Sequence, residues 1–142
     1  MSYVRDETWY TECCQEAVNR SIPLDGKYSF RKFMDVGVAI TATAFAHIPD
    51  RPTKMWVSLL ISVSLGIDDC LGGALDMEHL YHFNARFVNC QSQGHPATNA
   101  LDALLREAPR YYSPFMSNLI TTSMLDFVSS LLLDHETKDM QA

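Results

Sequence analysis

Positive charge is scarce in this sequence. Eleven lysines and arginines stand against 17 aspartates and glutamates, which leaves a formal net charge of -6 over 142 residues. No basic patch is available to neutralise the phosphates of a nucleic acid, so the composition argues against nucleic acid as a partner. It argues equally against recruitment to an anionic membrane surface. A substrate that carries a diphosphate would have to be held by a local device, such as bound cations, because the chain has no general positive field.

Cysteine pairs with metal or redox spacing are also missing. The four cysteines include no C-x-x-C pair, and the adjacent Cys13 and Cys14 are badly placed for a structural disulfide. Free thiols in a reducing compartment are the simpler interpretation. Charged and polar residues from Arg5 to Glu16 argue against a signal peptide. The longest apolar run, Met55–Ile67, is too short to span a bilayer. The sequence therefore predicts a soluble, cytoplasmic protein without a transmembrane segment.

Strand signals are few, and the pattern is that of helices separated by proline and glycine. The longest apolar run belongs to a predicted helix that is apolar almost all round, so we expect it to be central in the fold. Short connections favour an all-α domain over residues 1–142, with five or six helices and antiparallel neighbours. The predicted helices cover approximately Asp6–Arg20, Ser29–His47, Thr53–Leu71, Asp76–Val88, Thr98–Ala108 and Ser113–Leu133, followed by a polar tail, His135–Ala142.

An acidic pair, Asp68 and Asp69, stands at the carboxyl end of the central apolar helix. Burial and the negative end of the helix dipole would both oppose charge there. A divalent cation would offset both effects, because carboxylates are the ligands that Mg²⁺ prefers, and Mg²⁺ held in this way keeps sites for water and phosphates. The simpler alternative is that the pair turns into solvent at the helix end. The preceding apolar helix favours a position beside a cavity.

The stretch Lys54–Asp69 (KMWVSLLISVSLGIDD) resembles the helix that carries the aspartate-rich motif of class I terpene cyclases. More narrowly, residues 28–134 resemble the trichodiene synthase family of fungi. The motifs YYSPF (111–115), NLI (118–120) and SMLDF (123–127) match a later helix of that family in order and spacing. The resemblance implies a partial terpene-synthase-like helical bundle and a carbon–oxygen lyase. Such an enzyme is a Mg²⁺-dependent sesquiterpene cyclase that ionises farnesyl diphosphate or a related prenyl diphosphate, with Asp68 and Asp69 as metal ligands.

The chain departs from the family pattern after the acidic pair. Gly72 and Gly73 stand where the family has a further acidic residue, and the next carboxylates are Asp76 and Glu78. A second metal motif of the family has a polar or acidic residue at i, i+4 and i+8. Three residues of the last helix meet that spacing, but the resemblance places them in an earlier helix, so we interpret them as a polar stripe. They are Asp126, Ser130 and Asp134.

The resemblance covers only the amino-terminal half of such an enzyme, whose second metal motif lies beyond the position of Ala142. A half-bundle leaves apolar helix faces without partners, so we expect self-association through exposed helix faces. Three alternatives stay open: a working cyclase, an inactive relative that binds an isoprenoid or another chain, and an unrelated helical interaction domain.

Other kinds of site have less support. His79 and His82 lie i, i+3 beside Glu78, but no third ligand follows at zinc spacing, so we interpret them as surface or packing histidines. The sequence contains no G-x-S-x-G elbow, no P-loop and no G-x-G-x-x-G loop.

Overall fold

The computed structural model describes residues 4–138, and the secondary structure of these residues is helical, without strands. The all-α class is therefore confirmed. Contacts divide the chain into two compact units, Met1–Leu75 and Asp76–Ala142. The prediction of one domain over residues 1–142 stays a prediction. The α-helices of the described residues are α1 (Glu7–Asn19), α2 (Arg31–Ala44), α3 (Arg51–Asp68), α4 (Met77–Tyr81), α5 (Phe83–Val88), α6 (Pro96–Arg106) and α7 (Pro114–Lys138).

Helix α3 is the core helix of the first unit, as its composition predicted. It begins two residues earlier than expected, because the Asp50 carboxylate caps it by accepting a hydrogen bond from the backbone N–H of Thr53 at 3.0 Å. Pro52 lies in the first turn, where a proline nitrogen without a hydrogen is tolerated. Trp56 is 1% exposed, and Leu59 and several neighbours are completely buried.

Helices α2 and α3 pack closely at two glycines. A β-carbon at Gly37 would lie 2.0 Å from Oγ of Ser62, and one at Gly66 would lie 2.4 Å from the ring of Phe30. Distances below 3.0 Å are essentially never seen for real β-carbons. At Gly37 the overlap includes the backbone nitrogen of Ser62, at 2.9 Å, so glycine lets the two backbones approach closely, whereas at Gly66 the glycine makes room for a side chain. The contact at Phe30 brings the amino end of α2 to the carboxyl end of α3, which is where the acidic pair lies.

The second unit differs from the predicted helices in three places. The fourth predicted helix is divided at His82 into α4 and α5. Helix α6 begins at Pro96, and its cap is His95, whose Nδ1 accepts from the N–H of Ala97; the predicted cap, Thr98, lies inside the helix. Helix α7 continues to Lys138 through much of the predicted polar tail, and the remainder of that tail, residues 139–142, lies outside the described residues.

Most of the surface of α7 is uncovered. Ser117 and Val128 are its buried residues, whereas Phe115 is 69% exposed and Leu133 is 61% exposed. By length and composition, α7 is the one helix among residues 4–138 that could cross a membrane: the mean hydropathy of its best window is 1.3, and 11% of that window is buried. Core helices of soluble proteins pass the same criterion. This helix lies outside Met55–Ile67, the run from which the sequence predicted that no segment spans a membrane.

Candidate functional site

The acidic pair ends α3. Asp68 is the last residue of the helix and Asp69 is its C-cap, with the backbone N–H of Asp69 bonded to the carbonyl of Leu65 at 3.0 Å. Both aspartates are exposed. The pair therefore turns into solvent, which was the simpler alternative, because the core packing of α3 ends one residue earlier, at Ile67, which is completely buried. Of the two penalties expected for the carboxylates, only the unfavourable end of the helix dipole remains.

A lysine from another helix lies beside the pair. Nζ of Lys32, in the first turn of α2, is 3.7 Å from Oδ2 of Asp69. The two side chains are 70% and 45% exposed, and the ammonium also lies 4.9 Å from the ring centroid of Phe33. Local sequence reasoning missed Lys32, because most of α2, a loop and the whole of α3 separate it from the pair along the chain. Only the packing of α2 on α3 brings this positive charge to the carboxylates.

The turn after the pair is unusual. Cys70 and Leu71 have φ angles of 51° and 48°, in the left-handed region that residues other than glycine rarely adopt. The turn continues to Gly73, whose φ is 91°. Burial raises the pKa of the Cys70 thiol, and the charges of Asp69 and Asp68 raise it further. Both effects disfavour the thiolate form of Cys70.

The next two carboxylates along the chain, Asp76 and Glu78, contact residues close to them in sequence. Asp76 caps α4 by accepting from the backbone N–H of Glu78 at 3.0 Å. The Glu78 carboxylate lies 3.7 Å from Nε2 of His82. In the part of the chain from residue 4 to 138, no group of three or more histidine, cysteine, aspartate or glutamate side chains is placed to hold a metal ion. The Asp68–Asp69 pair thus offers two hard oxygen donors, a number that suits Mg²⁺ when water and phosphate complete its coordination.

The other predicted candidates lie in the second unit. Asp126, Ser130 and Asp134 lie on α7 at the expected helical spacing, and all three are exposed, as a polar stripe would be. The imidazole of His79 packs against that of His95, with 4.8 Å between ring centroids. His82 instead lies against the ring of Tyr81. His79 and His82 therefore have packing and surface environments, in line with the interpretation made from the sequence.

A cavity of about 490 Å³ lies at the amino end of α3, the end away from the acidic pair. Its wall includes the indole of Trp9 and the side chains of Arg51 and Lys54. The guanidinium of Arg51 lies over the Trp9 ring, 4.6 Å from its centroid, and pairs with Glu12. These contacts join α1 to the start of α3, and no sequence motif predicted them.

Comparison with known proteins supplies the family context for this geometry. Over 137 residues, which are 95% of this chain, the sequence is 28% identical to alpha-cuprenene synthase COP6 of Coprinopsis cinerea. The relatives are fungal terpene synthases. Terpene synthase BipA of Cochliobolus sativus is 27% identical over 86% of the chain, and monoterpene synthase 25 of Postia placenta is 25% identical over 75%.

The chain spans less than half the length of these relatives: 42% of COP6, 36% of BipA and 32% of monoterpene synthase 25. No family model matches the sequence, and no solved structure matches it either. The resemblance to terpene cyclases is therefore supported at the level of fungal terpene synthases, at low identity. The narrower resemblance to the trichodiene synthase family stays a prediction.

Proposed function

We propose that this chain is part of a Mg²⁺-dependent terpene cyclase that acts on farnesyl diphosphate, with Asp68 and Asp69 as metal ligands. The observation that carries the proposal is an exposed carboxylate pair at the end of the core helix α3, in a chain similar to a fungal terpene synthase over 95% of its length. Exposure is useful here, because a metal ion and a diphosphate must both reach the two carboxylates from solvent.

The residues of the acidic pair and of α3 would have separate roles. Asp68 and Asp69 would hold Mg²⁺ through hard carboxylate oxygens, as the donor set of the pair allows. The bound metal would supply neutralisation of the negative charge that grows on a departing diphosphate. The buried face of α3, which includes Trp56 and Leu59, holds the helix end in place and so positions the pair.

The proposal also includes a sesquiterpene product, membership of the trichodiene synthase family and a cytoplasmic location. Residues 1–142 would form one domain in the amino-terminal part of the cyclase fold. The activity of a whole terpene synthase is likewise proposed, because the chain spans less than half of each relative. One relative is named a monoterpene synthase, so geranyl diphosphate belongs in the assays beside farnesyl diphosphate.

The decisive experiment incubates the purified chain with farnesyl or geranyl diphosphate and Mg²⁺, and analyses the extract for hydrocarbons and alcohols. Asp68→Asn with Asp69→Asn should abolish product formation. The matched control is Asp126→Asn with Asp134→Asn, which removes two exposed carboxylates from α7 and should leave activity unchanged. Equal loss in both double variants would contradict the assignment of the metal site to α3.

The second candidate is an inactive relative that still binds a prenyl diphosphate. It is favoured by Gly72 and Gly73 at the place of a further acidic residue, and by the lack of a three-ligand group among residues 4–138. For this candidate, product is absent, but a diphosphate analogue raises the melting temperature in the presence of Mg²⁺ and not in its absence. If neither the metal nor the analogue changes the melting temperature, both candidates are wrong, and a helical interaction domain is the remaining function.

A further inference from the structure

The position of Lys32 is set by helix packing. The close approach of Gly66 to Phe30 holds the amino end of α2 against the carboxyl end of α3. Lys32 follows Phe30 by two residues, in the first turn of α2. Its Nζ lies 3.7 Å from Oδ2 of Asp69. The close contact between the Phe30 ring and Gly66 therefore places the lysine beside the acidic pair, although the lysine side chain itself is mostly exposed.

The neighbouring cation, Arg31, is hydrogen-bonded to groups outside the acidic pair. The Arg31 side chain donates from Nε to the carbonyl of Leu24 at 3.3 Å, and from Nη2 to the Asp25 carboxylate at the same distance. Lys32 is thus the cation of this helix end that faces the pair. Asp68 forms no ion pair with any residue from 4 to 138, and Lys32 is an exposed cation beside its neighbour Asp69.

We propose that Lys32 is the charge-balancing residue of the acidic pair: its ammonium neutralises Asp69 before a metal binds, competes with the metal for Asp69, and contacts the diphosphate afterwards. This inference rests on the proposed function. A lysine suits the task, because its ammonium is a compact charge on a flexible four-carbon stem and can move from a carboxylate to a phosphate nearby. The exposed ion pair itself is weak, so its exchange for a divalent cation is easily reached.

The test uses the full chain, with Mn²⁺ as the metal probe and inorganic pyrophosphate as the anion probe, both measured by isothermal titration calorimetry at low salt. Lys32→Gln removes a positive charge close to the metal. It should tighten Mn²⁺ binding by about three- to tenfold, the size expected for one unit charge a few ångströms away in a solvated site. The same variant should weaken pyrophosphate binding in saturating Mg²⁺ by a similar factor.

Two further variants make the result specific. Lys32→Arg keeps the charge and should restore both affinities to nearly the wild-type values. Lys27→Gln is the matched control: Lys27 is an exposed lysine of the same unit, placed against the ring of Tyr28 at 5.6 Å, and its loss should change neither affinity. Thermal melts followed by circular dichroism should be the same for all variants, because both lysines are exposed.

The failures of the two proposals are distinguishable. If Asp68→Asn with Asp69→Asn abolishes Mn²⁺ binding but Lys32→Gln alters neither affinity, the role of Lys32 is wrong and the metal site stands. A change in only one of the two affinities, or an equal change in Lys27→Gln, also overturns the role of Lys32. If the wild-type chain does not bind Mn²⁺, or binds it without the two aspartates, the proposed metal site itself is wrong, and the role of Lys32 is wrong with it.

Discussion

The ring of Phe30 lies against the backbone of Gly66 so closely that a β-carbon at position 66 would be 2.4 Å from Cε1 of the ring. Phe30 is completely buried and immediately precedes α2, whereas Gly66 is two residues before Asp68 in α3. This contact therefore couples the core of the first unit to the geometry of the acidic pair. Any change that separates the two helices here also moves Lys32 away from Asp69.

Gly66→Ala should destabilise the chain by about 1–3 kcal/mol, because the added methyl group overlaps the Phe30 ring and forces the helices apart. Denaturant unfolding followed at 222 nm measures the loss. Phe30→Leu should recover part of it in the double variant, since the overlapping atoms belong to a side chain. Gly37→Ala is the matched comparison: its β-carbon would also meet the backbone nitrogen of Ser62, at 2.9 Å, so trimming with Ser62→Ala should recover less. Equal recovery at both glycines would contradict the steric explanation.

Asp102→Ala should destabilise the chain by about 1–3 kcal/mol, because it removes the shorter of two hydrogen bonds that the buried Gln93 amide donates and leaves the carbonyl of Phe83 as its remaining acceptor. Oδ2 of Asp102 accepts from Nε2 of Gln93 at 2.8 Å, and Gln93 is completely buried. Oδ1 of Asp102 accepts from Nε of Arg106 at 2.6 Å. Urea unfolding provides the measurement. Asp134→Ala, which removes an exposed carboxylate from α7, is the control and should stay within about 0.5 kcal/mol of wild type. A comparable loss in the control would show that the buried network is not the cause.

The stability of the chain should fall as the pH drops below about 6.5, the ordinary pKa of histidine. Burial lowers the pKa of His95, and the nearby charge of His79 lowers it further. A histidine whose pKa is lower in the folded state contributes its full stability above the unfolded pKa, and this contribution is lost as the pH falls towards the folded pKa. Protonation at Nδ1 would also remove the acceptor for the Ala97 N–H, which lies 3.0 Å away.

The measurement is urea unfolding between pH 5.5 and 7.5 for the wild type and for His95→Asn. Asparagine can cap a helix without titrating in this range, so the slope of stability against pH should be smaller in the variant. His135→Asn removes an exposed histidine of α7 and should keep the wild-type slope. An unchanged slope in His95→Asn would rule out His95 as the origin of the pH dependence.

Phe115→Gln with Leu119→Gln should weaken self-association of the chain. Phe115 is 69% exposed and Leu119 is 48% exposed, and the two lie four residues apart on one face of α7. Full burial of an aromatic or leucine side chain stabilises by about 1.5–3 kcal/mol, so loss of both should raise the dissociation constant at least about tenfold. Sedimentation velocity over a range of concentrations provides the measurement. Thr122→Gln, at an exposed polar position of the same helix, should leave association unchanged. A monomeric wild-type chain would contradict the prediction.

Much of the fold was predictable, because its signals are local. The proline and glycine positions and the apolar periodicity located the helices approximately, with α4 and α5 predicted as one, and they identified α3 as the core helix. The ends of helices were less predictable where an unusual cap acts. His95 caps α6 with an imidazole nitrogen, a task more typical of serine, threonine, aspartate or asparagine, so Thr98 was the expected cap. The continuation of α7 to Lys138 was missed because polar residues at a helix end resemble a tail.

By itself, the sequence determined the all-α class, the central place of α3 and the position of Asp68 and Asp69 at its end, because each depends on residue types within one or two helical turns. Only the tertiary structure decided the surroundings of that pair. It showed that both carboxylates are exposed and that Lys32 lies beside Asp69. The physical reason is that charge compensation depends on distance in space. Lys32 lies near Asp69 because α2 packs on α3, with the ring of Phe30 against Gly66.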